Sequence, residues 1–127
     1  MASGTINKYM DGTDTGWVTP IKTSGAVYTS GTVKYRRIGN IVTVIGTDLI
    51  LPAGGGLIIT MDAGYWPAVN TTCPVALEYP NYKPVATARI YSSTGQLSIP
   101  KYTNGSGTVT DPLDTTHKHS FTMIYFL

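Results

Sequence analysis

The stretch KYRRIGNIVTVIGT, residues 34–47, decides the fold, because two runs of strand-forming residues meet there at Gly39-Asn40. A two-residue connection between antiparallel strands needs positive φ, which glycine adopts freely and asparagine tolerates. The flanking Tyr, Ile, Val and Thr suit a pleated, half-buried surface. The stretch therefore predicts a β-hairpin with Gly39-Asn40 at its tip. Arg36 and Arg37 are neighbours on one strand, so they point to opposite faces and cannot form one basic patch.

Outward from this hairpin, apolar and β-branched runs recur between short turns, at residues 16–21, 25–29, 32–38, 41–51, 56–61, 74–79, 85–92, 96–99 and 119–127. Short strands at regular spacing, with no long 3.6-residue apolar period free of Gly or Pro, predict an all-β fold. The expected architecture is an antiparallel β-sandwich, jelly-roll-like, with minimal helix. Residues 1–16, with Gly4, Gly12 and Gly16 among alternating Asp and Thr, read as an N-terminal arm or linker, and 17–127 as one domain. Trp17 is expected in the core.

Alternation assigns the faces. Ala86, Ala88 and Ile90 should point inward, with Thr87, Arg89 and Tyr91 outward and Ser93-Thr94-Gly95 closing a second hairpin toward Leu97 and Ile99. In 41–47 both faces carry apolar groups, as expected of a covered strand. The terminal SFTMIYFL is apolar on both faces too, with Phe121, Met123, Tyr125 and Leu127 on one and Ile124 and Phe126 on the other. Either that strand is central or its second face meets another subunit.

Composition narrows the function. The chain has 127 residues, 42% hydrophobic and only 13% charged, with 20 Thr, 14 Gly, 8 Pro and 9 Tyr. Such a chain can build a core, and its polar surface consists of hydroxyls and turns more than ions. The net charge is +2, but the nine basic residues are scattered, which argues against nucleic acid. No run approaches the ~18 apolar residues that span a bilayer, and Met1-Ala2-Ser3 lacks a basic-plus-apolar leader, so no membrane insertion is expected. Cys73 alone cannot form an intramolecular disulfide and reads as a small apolar filler.

The acids Asp11, Asp14, Asp48, Asp62, Glu78, Asp111 and Asp114 show no paired-carboxylate spacing, and no nucleophile elbow or phosphate loop accompanies them. Gly54-Gly55-Gly56 lacks the Lys-Ser or Lys-Thr pair of a phosphate cradle and reads as a turn. The reading is non-enzymatic, without a cofactor or metal. His117 and His119 would share a face if extended and could place six imidazoles around a threefold axis, but they read better as exposed polar residues. Tyr79, Tyr82 and Tyr102 fall in the Pro-rich segments YPNYKP and PKYTNG. Loop aromatics stack on sugar rings, and Asn81 and Asn104 can bond hydroxyls, so these five are the candidate glycan-binding residues.

YRRIGNIVTVIGT followed by LILPAGGG, then DAGYWPA and ARIYSSTGQLSI, resembles the carboxy-terminal β-sandwich modules of bacteriophage tail-fibre and baseplate receptor-binding proteins. The likeness covers residues 16–127. It implies recognition of host cell-surface carbohydrate at a virion tail tip, synthesis in the host bacterial cytoplasm, attachment to upstream fibre or baseplate segments, and assembly as a homotrimer. Tyr65-Trp66-Pro67 matches that family's Gly-Tyr-x-Pro loop and is expected to plug one end of the fold by packing. Two alternatives stay open, a trimerisation or capping module without receptor contact, and a polysaccharide depolymerase.

Overall fold

The computed structural model describes residues 13–20, 28–51, 57–77, 85–99, 102–103, 109–110 and 118–127. The hairpin that anchored the reading joins β1, Ser30–Ile38, to β2, Ile41–Ile50, with Ile38 opposite Ile41 and only Gly39-Asn40 between them. Gly39 has φ 58°, whereas Asn40 does not enter the positive-φ region. That places the glycine at the first central position of a type II′ turn, whose twist matches that of the strands it joins. Leu127 N–H donates to the Asn40 carbonyl at 3.0 Å and fastens the C-terminus to this tip.

The remaining strands are β3, Leu57–Thr60, β4, Thr71–Leu77, β5, Val85–Ile90, β6, Gln96–Ser98, β7, Tyr102–Thr103, β8, Val109–Thr110, and β9, His119–Phe126. One turn of 3-10 helix, Ala63–Tyr65, completes the described elements. Every pairing is antiparallel, along the path β1-β2-β9-β4-β5-β6-β3, with β7 beside β5 and β8 beside β7. The chain is all-β, as its alternation predicts.

The sheet is continuous through β4. Thr71–Val75 pair with β5, while Ala76 and Leu77 pair with β9. The strand begins at Thr71, three residues before the expected start at Pro74, so the proline lies inside it. It is tolerated because β4 there has only β5 beside it, so one side of the strand needs no N–H. The path curls around a single core. Val33, Val42, Val44 and Met123 from one stretch of sheet share a buried cluster with Ile59, Ala88, Ile90 and Leu97 from the other.

Most faces fall as read. Ala86, Ala88 and Ile90 are buried, and Leu97 and Ile99 continue the inward side beyond the Gly95 turn. On β2, Val42 and Val44 are fully buried while Ile41, Thr43 and Ile45 face outward and are only partly covered, so the expectation of a strand covered on both faces is corrected. Strand β9 is central, between β2 and β4, yet Ile124 and Phe126 remain exposed. Centrality supplies neighbours within the sheet, not a layer over its face.

The arm is tied down. Residues 13–18 run along the free edge of β1 through bridges Asp14 to Ile38 and Val18 to Tyr35. Val18 and Tyr35 exchange backbone bonds at 2.8 and 2.9 Å, and Gly39 N–H donates to the Thr13 carbonyl at 2.7 Å. Asp14 takes the Arg36 guanidinium in a two-point bond, Nε to Oδ1 at 3.0 Å and Nη2 to Oδ2 at 2.7 Å. The end of the expected arm and the first residues after it thus pair with β1 as one segment, and residues 13–20 constitute the arm of the folded chain. The paired Val18 faces the seam while Trp17 turns outward, 47% exposed, with Lys34 Nζ 5.0 Å from its ring centre. Trp17 is therefore an outer-face residue, not the core residue expected.

Candidate functional site

The curled sheet has two ends, β1 and β3, and a cavity lies at the seam near them. It encloses about 390 Å³, lined by Val18, Thr19 and Pro20 of the arm, Tyr35 of β1, and Thr60, Met61 and Asp62 at the end of β3. That volume is within the range of small-ligand pockets. Val18, Pro20 and Met61 give it an apolar wall. Thr19, Thr60 and Asp62 bring two hydroxyls and one carboxylate.

The wall on the β3 side is held from several directions. Met61 N–H donates to the Gly95 carbonyl at 2.9 Å, and the Met61 carbonyl accepts the Trp66 indole N–H at 2.8 Å. Tyr65 N–H closes the 3-10 turn onto the Asp62 carbonyl at 2.9 Å, and Ala68 N–H reaches the Phe126 carbonyl at 3.0 Å. Beneath, the Tyr35 and Tyr65 rings meet edge to face with centroids 4.8 Å apart, and Tyr125 Oη donates to the Tyr65 carbonyl at 2.6 Å. The Tyr65-Trp66-Pro67 loop packs at this end of the core, as expected from its aromatic-proline composition. A wall fixed in this way loses little conformational freedom when a ligand binds.

Burial raises the phenol pKa of Tyr35, and the neighbouring Tyr65 and Asp62 raise it further. Burial likewise raises that of Tyr125, with Tyr35 adding to it. Both stay protonated and able to donate throughout the physiological range. Cys73, half-buried against the core, has its thiol pushed up by burial and is a poor nucleophile, in keeping with a filler role.

A second, more open hollow of about 250 Å³ lies between Asp48, Ala76, Leu77, Lys118 and Ser120. It sits on a bulge where the β2–β9 register shifts between Gly46 and Leu49. Asp48 has φ 52°, and its N–H donates to Ser120 Oγ at 2.9 Å. His119 lies on the opposite side of the strand, fully buried, with Nδ1 3.1 Å from the Leu49 carbonyl. This corrects the expectation of an exposed histidine, since the alternation that buries Phe121 and Met123 also buries His119. A ring enclosed in its own subunit cannot reach a shared threefold axis. His117 lies outside the described residues, and among those described no group of three or more His, Cys, Asp or Glu side chains could hold a metal ion.

Of the five residues expected to bind glycan, Tyr79, Asn81, Tyr82 and Asn104 lie outside the described residues. Tyr102 is in β7, paired with Ala86 of β5 and Thr110 of β8, so its backbone belongs to the sheet and not to a loop. Sequence reasoning missed the seam residues, because Thr19 is far from Thr60 and Asp62 in the chain and no binding motif joins them. Only the return of β3 toward the arm brings them together. Comparison with protein-family models, with curated proteins and with solved structures returned no match.

Proposed function

We propose that this chain is a non-enzymatic receptor-binding module of a bacteriophage tail fibre or baseplate, and that it takes a neutral host-surface saccharide at the seam between the arm and β3. The observation that carries this reading is the seam's chemistry. An apolar wall beside two threonine hydroxyls and one carboxylate suits a ring with a C–H face and several hydroxyls. No lysine or arginine is among its described lining residues, which disfavours a strongly anionic ligand. Hydrolysis of a glycosidic bond ordinarily needs two carboxyl groups flanking it, and Asp62 is the one carboxylate in that lining. Such a site binds weakly alone and gains strength when several copies engage a repetitive polymer, in keeping with a homotrimer attached to upstream fibre segments at the virion tail tip.

A glycan array with the assembled protein, followed by calorimetry on the hits, tests this reading. Asp62→Asn and Thr60→Val should each reduce affinity for a bound saccharide at least about tenfold, the loss expected for one good hydrogen bond to a charged or buried partner. Binding unchanged in both variants, or no binding to any glycan or host cell, would overturn it. A purified protein that shortens a capsular polymer would instead establish the depolymerase. The capping-module alternative draws on a separate observation, the apolar outer face left uncovered on β9.

A further inference from the structure

Large exposed apolar side chains are not scattered over this protein. Among the described residues they are Trp17, Ile38, Ile41, Val69, Ile124 and Phe126, and all but Val69 sit on the side that β1, β2, β9 and the arm turn away from the core. Register pairs make the arrangement definite. Ile38 faces Ile41 and Ile41 faces Phe126, forming one cross-strand row, while Thr43 faces Ile124 in the next and Ile45 faces Thr122 in the third. Exposure is 53% at Ile38, 37% at Ile41, 60% at Ile124 and 56% at Phe126. With Trp17 these surfaces come to roughly 500 Å², toward the upper end of the largest apolar patch on an ordinary monomer.

We propose that this outer face is where one copy of the chain packs on another. Strand addition cannot cover it, because β9 and β2 already have hydrogen-bonded neighbours on both sides. Only a partner laid over the face can do so. Sheets pack face to face about 10 Å apart when their twists agree, and a second copy of the same face presents the same twist and the same rows. The charges agree with this choice of partner. On β2 and β9 the three rows contain no ionisable side chain; where they run on to β1 the second row meets Arg36, which Asp14 engages, and the third meets Lys34, which lies over the Trp17 ring. Charge is thus confined to the β1 margin, and the apolar part of the patch on β2 and β9 requires no anionic partner. With a rim of Thr43, Ile45 and Thr122 the covered area approaches the roughly 800 Å² per partner of a standard stable interface. This inference does not rest on the saccharide reading, since the seam and the outer face share no side chain.

The test is sedimentation of the full chain across micromolar to millimolar concentrations, for the parent and for Thr122→Arg and Ile124→Lys. Both substituted side chains are exposed, so the fold is expected to persist, with circular dichroism as the check. Thr122→Arg removes no apolar packing and serves if Ile124→Lys does not fold. The expected result is a multiple of 13.6 kDa for the parent. Each variant should weaken association at least about 30-fold, while Arg89→Glu on β5 leaves it unchanged. A parent that stays monomeric at millimolar concentration overturns the proposal, as does an oligomer indifferent to Thr122→Arg. A monomer whose Ile38, Ile124 and Phe126 are protected from labelling only when lipid vesicles are added would assign the face to a membrane and also overturn it.

Discussion

Replacing Gly95 by alanine should be among the most damaging single changes in this protein, although Gly95 lies in a surface turn far along the chain from the loop it supports. Gly95 has φ 66°, a left-handed conformation that costs an alanine about 1 kcal/mol. A methyl group there would also run into the Trp66 indole, meeting Nε1 and Cδ1 and approaching Cε2 at 2.8 Å. The indole cannot simply swing aside, because its N–H is bonded to the Met61 carbonyl and its ring packs against the core. Displacing it forfeits about 1 kcal/mol of hydrogen bond and adds roughly 1–3 kcal/mol of overpacking. The sum is on the order of 3–5 kcal/mol, a large share of the ~5–15 kcal/mol that holds a domain folded. Urea unfolding followed by Trp fluorescence measures it. Gly64→Ala provides the control, since a methyl group there meets nothing within 4 Å. It should change stability by less than about 0.5 kcal/mol. A Gly95→Ala protein within 1 kcal/mol of the parent would refute the claim that the turn and the indole are locked together.

Tyr125→Phe removes the 2.6 Å bond to the Tyr65 carbonyl, so a loss of about 1–2 kcal/mol in urea unfolding is expected, with β-sheet content unchanged. The folded phenol of Tyr125 titrates above its ordinary 10.0 because it is buried, so its contribution holds below pH 10 and is lost as pH climbs further; absorbance at 295 nm should show a late-ionising tyrosine signal that is smaller in Tyr125→Phe. Asp14 is held at about 2 by Arg36, so the arm's ion pair persists above pH 4 and fails as pH falls from there toward 2; proton exchange at Val18 N–H should accelerate over that window, and in Asp14→Asn at neutral pH as well. Gly46→Ala would push a methyl group to 2.5 Å from Phe121 Cε1 and 2.9 Å from Leu49 Cδ1, so a loss of roughly 1–3 kcal/mol is expected from thermal unfolding.

Local periodicity made the sheet legible where one face is plainly apolar and the other plainly polar. Residues 85–90 and the two-residue turn at Gly39-Asn40 were readable for that reason, since each is fixed by its own side chains and by its immediate neighbours. Trp17 was not, because its direction is set by how the arm pairs with β1, a contact between distant segments. His119 was misread for a related reason. Its polar character suggested exposure, while its position two residues before Phe121 and four before Met123 already placed it on the buried side of β9. There the alternation was the better guide than the side chain's chemistry. The seam was illegible altogether. Thr19, Thr60 and Asp62 have no spacing to recognise, and a site made by the two ends of a curled sheet exists only once the sheet has curled.

The arm links the features that matter most for function. Its pairing with β1 satisfies the edge of the sheet, since residues 13–18 take up backbone groups of Tyr35, Arg37 and Gly39 that would otherwise form an open template for aggregation. The same pairing orients successive side chains to opposite sides. Val18 lines the seam, and Trp17 joins the outer face beside Lys34. Loosening the arm should therefore weaken saccharide binding and self-association together, whereas Asp62→Asn should affect only the first and Thr122→Arg only the second. Calorimetry and sedimentation on Asp14→Asn separate these outcomes. If both properties survive while exchange at Val18 accelerates, the arm is an edge cover alone, and the pocket wall must be held by β3 and the Trp66 loop without it.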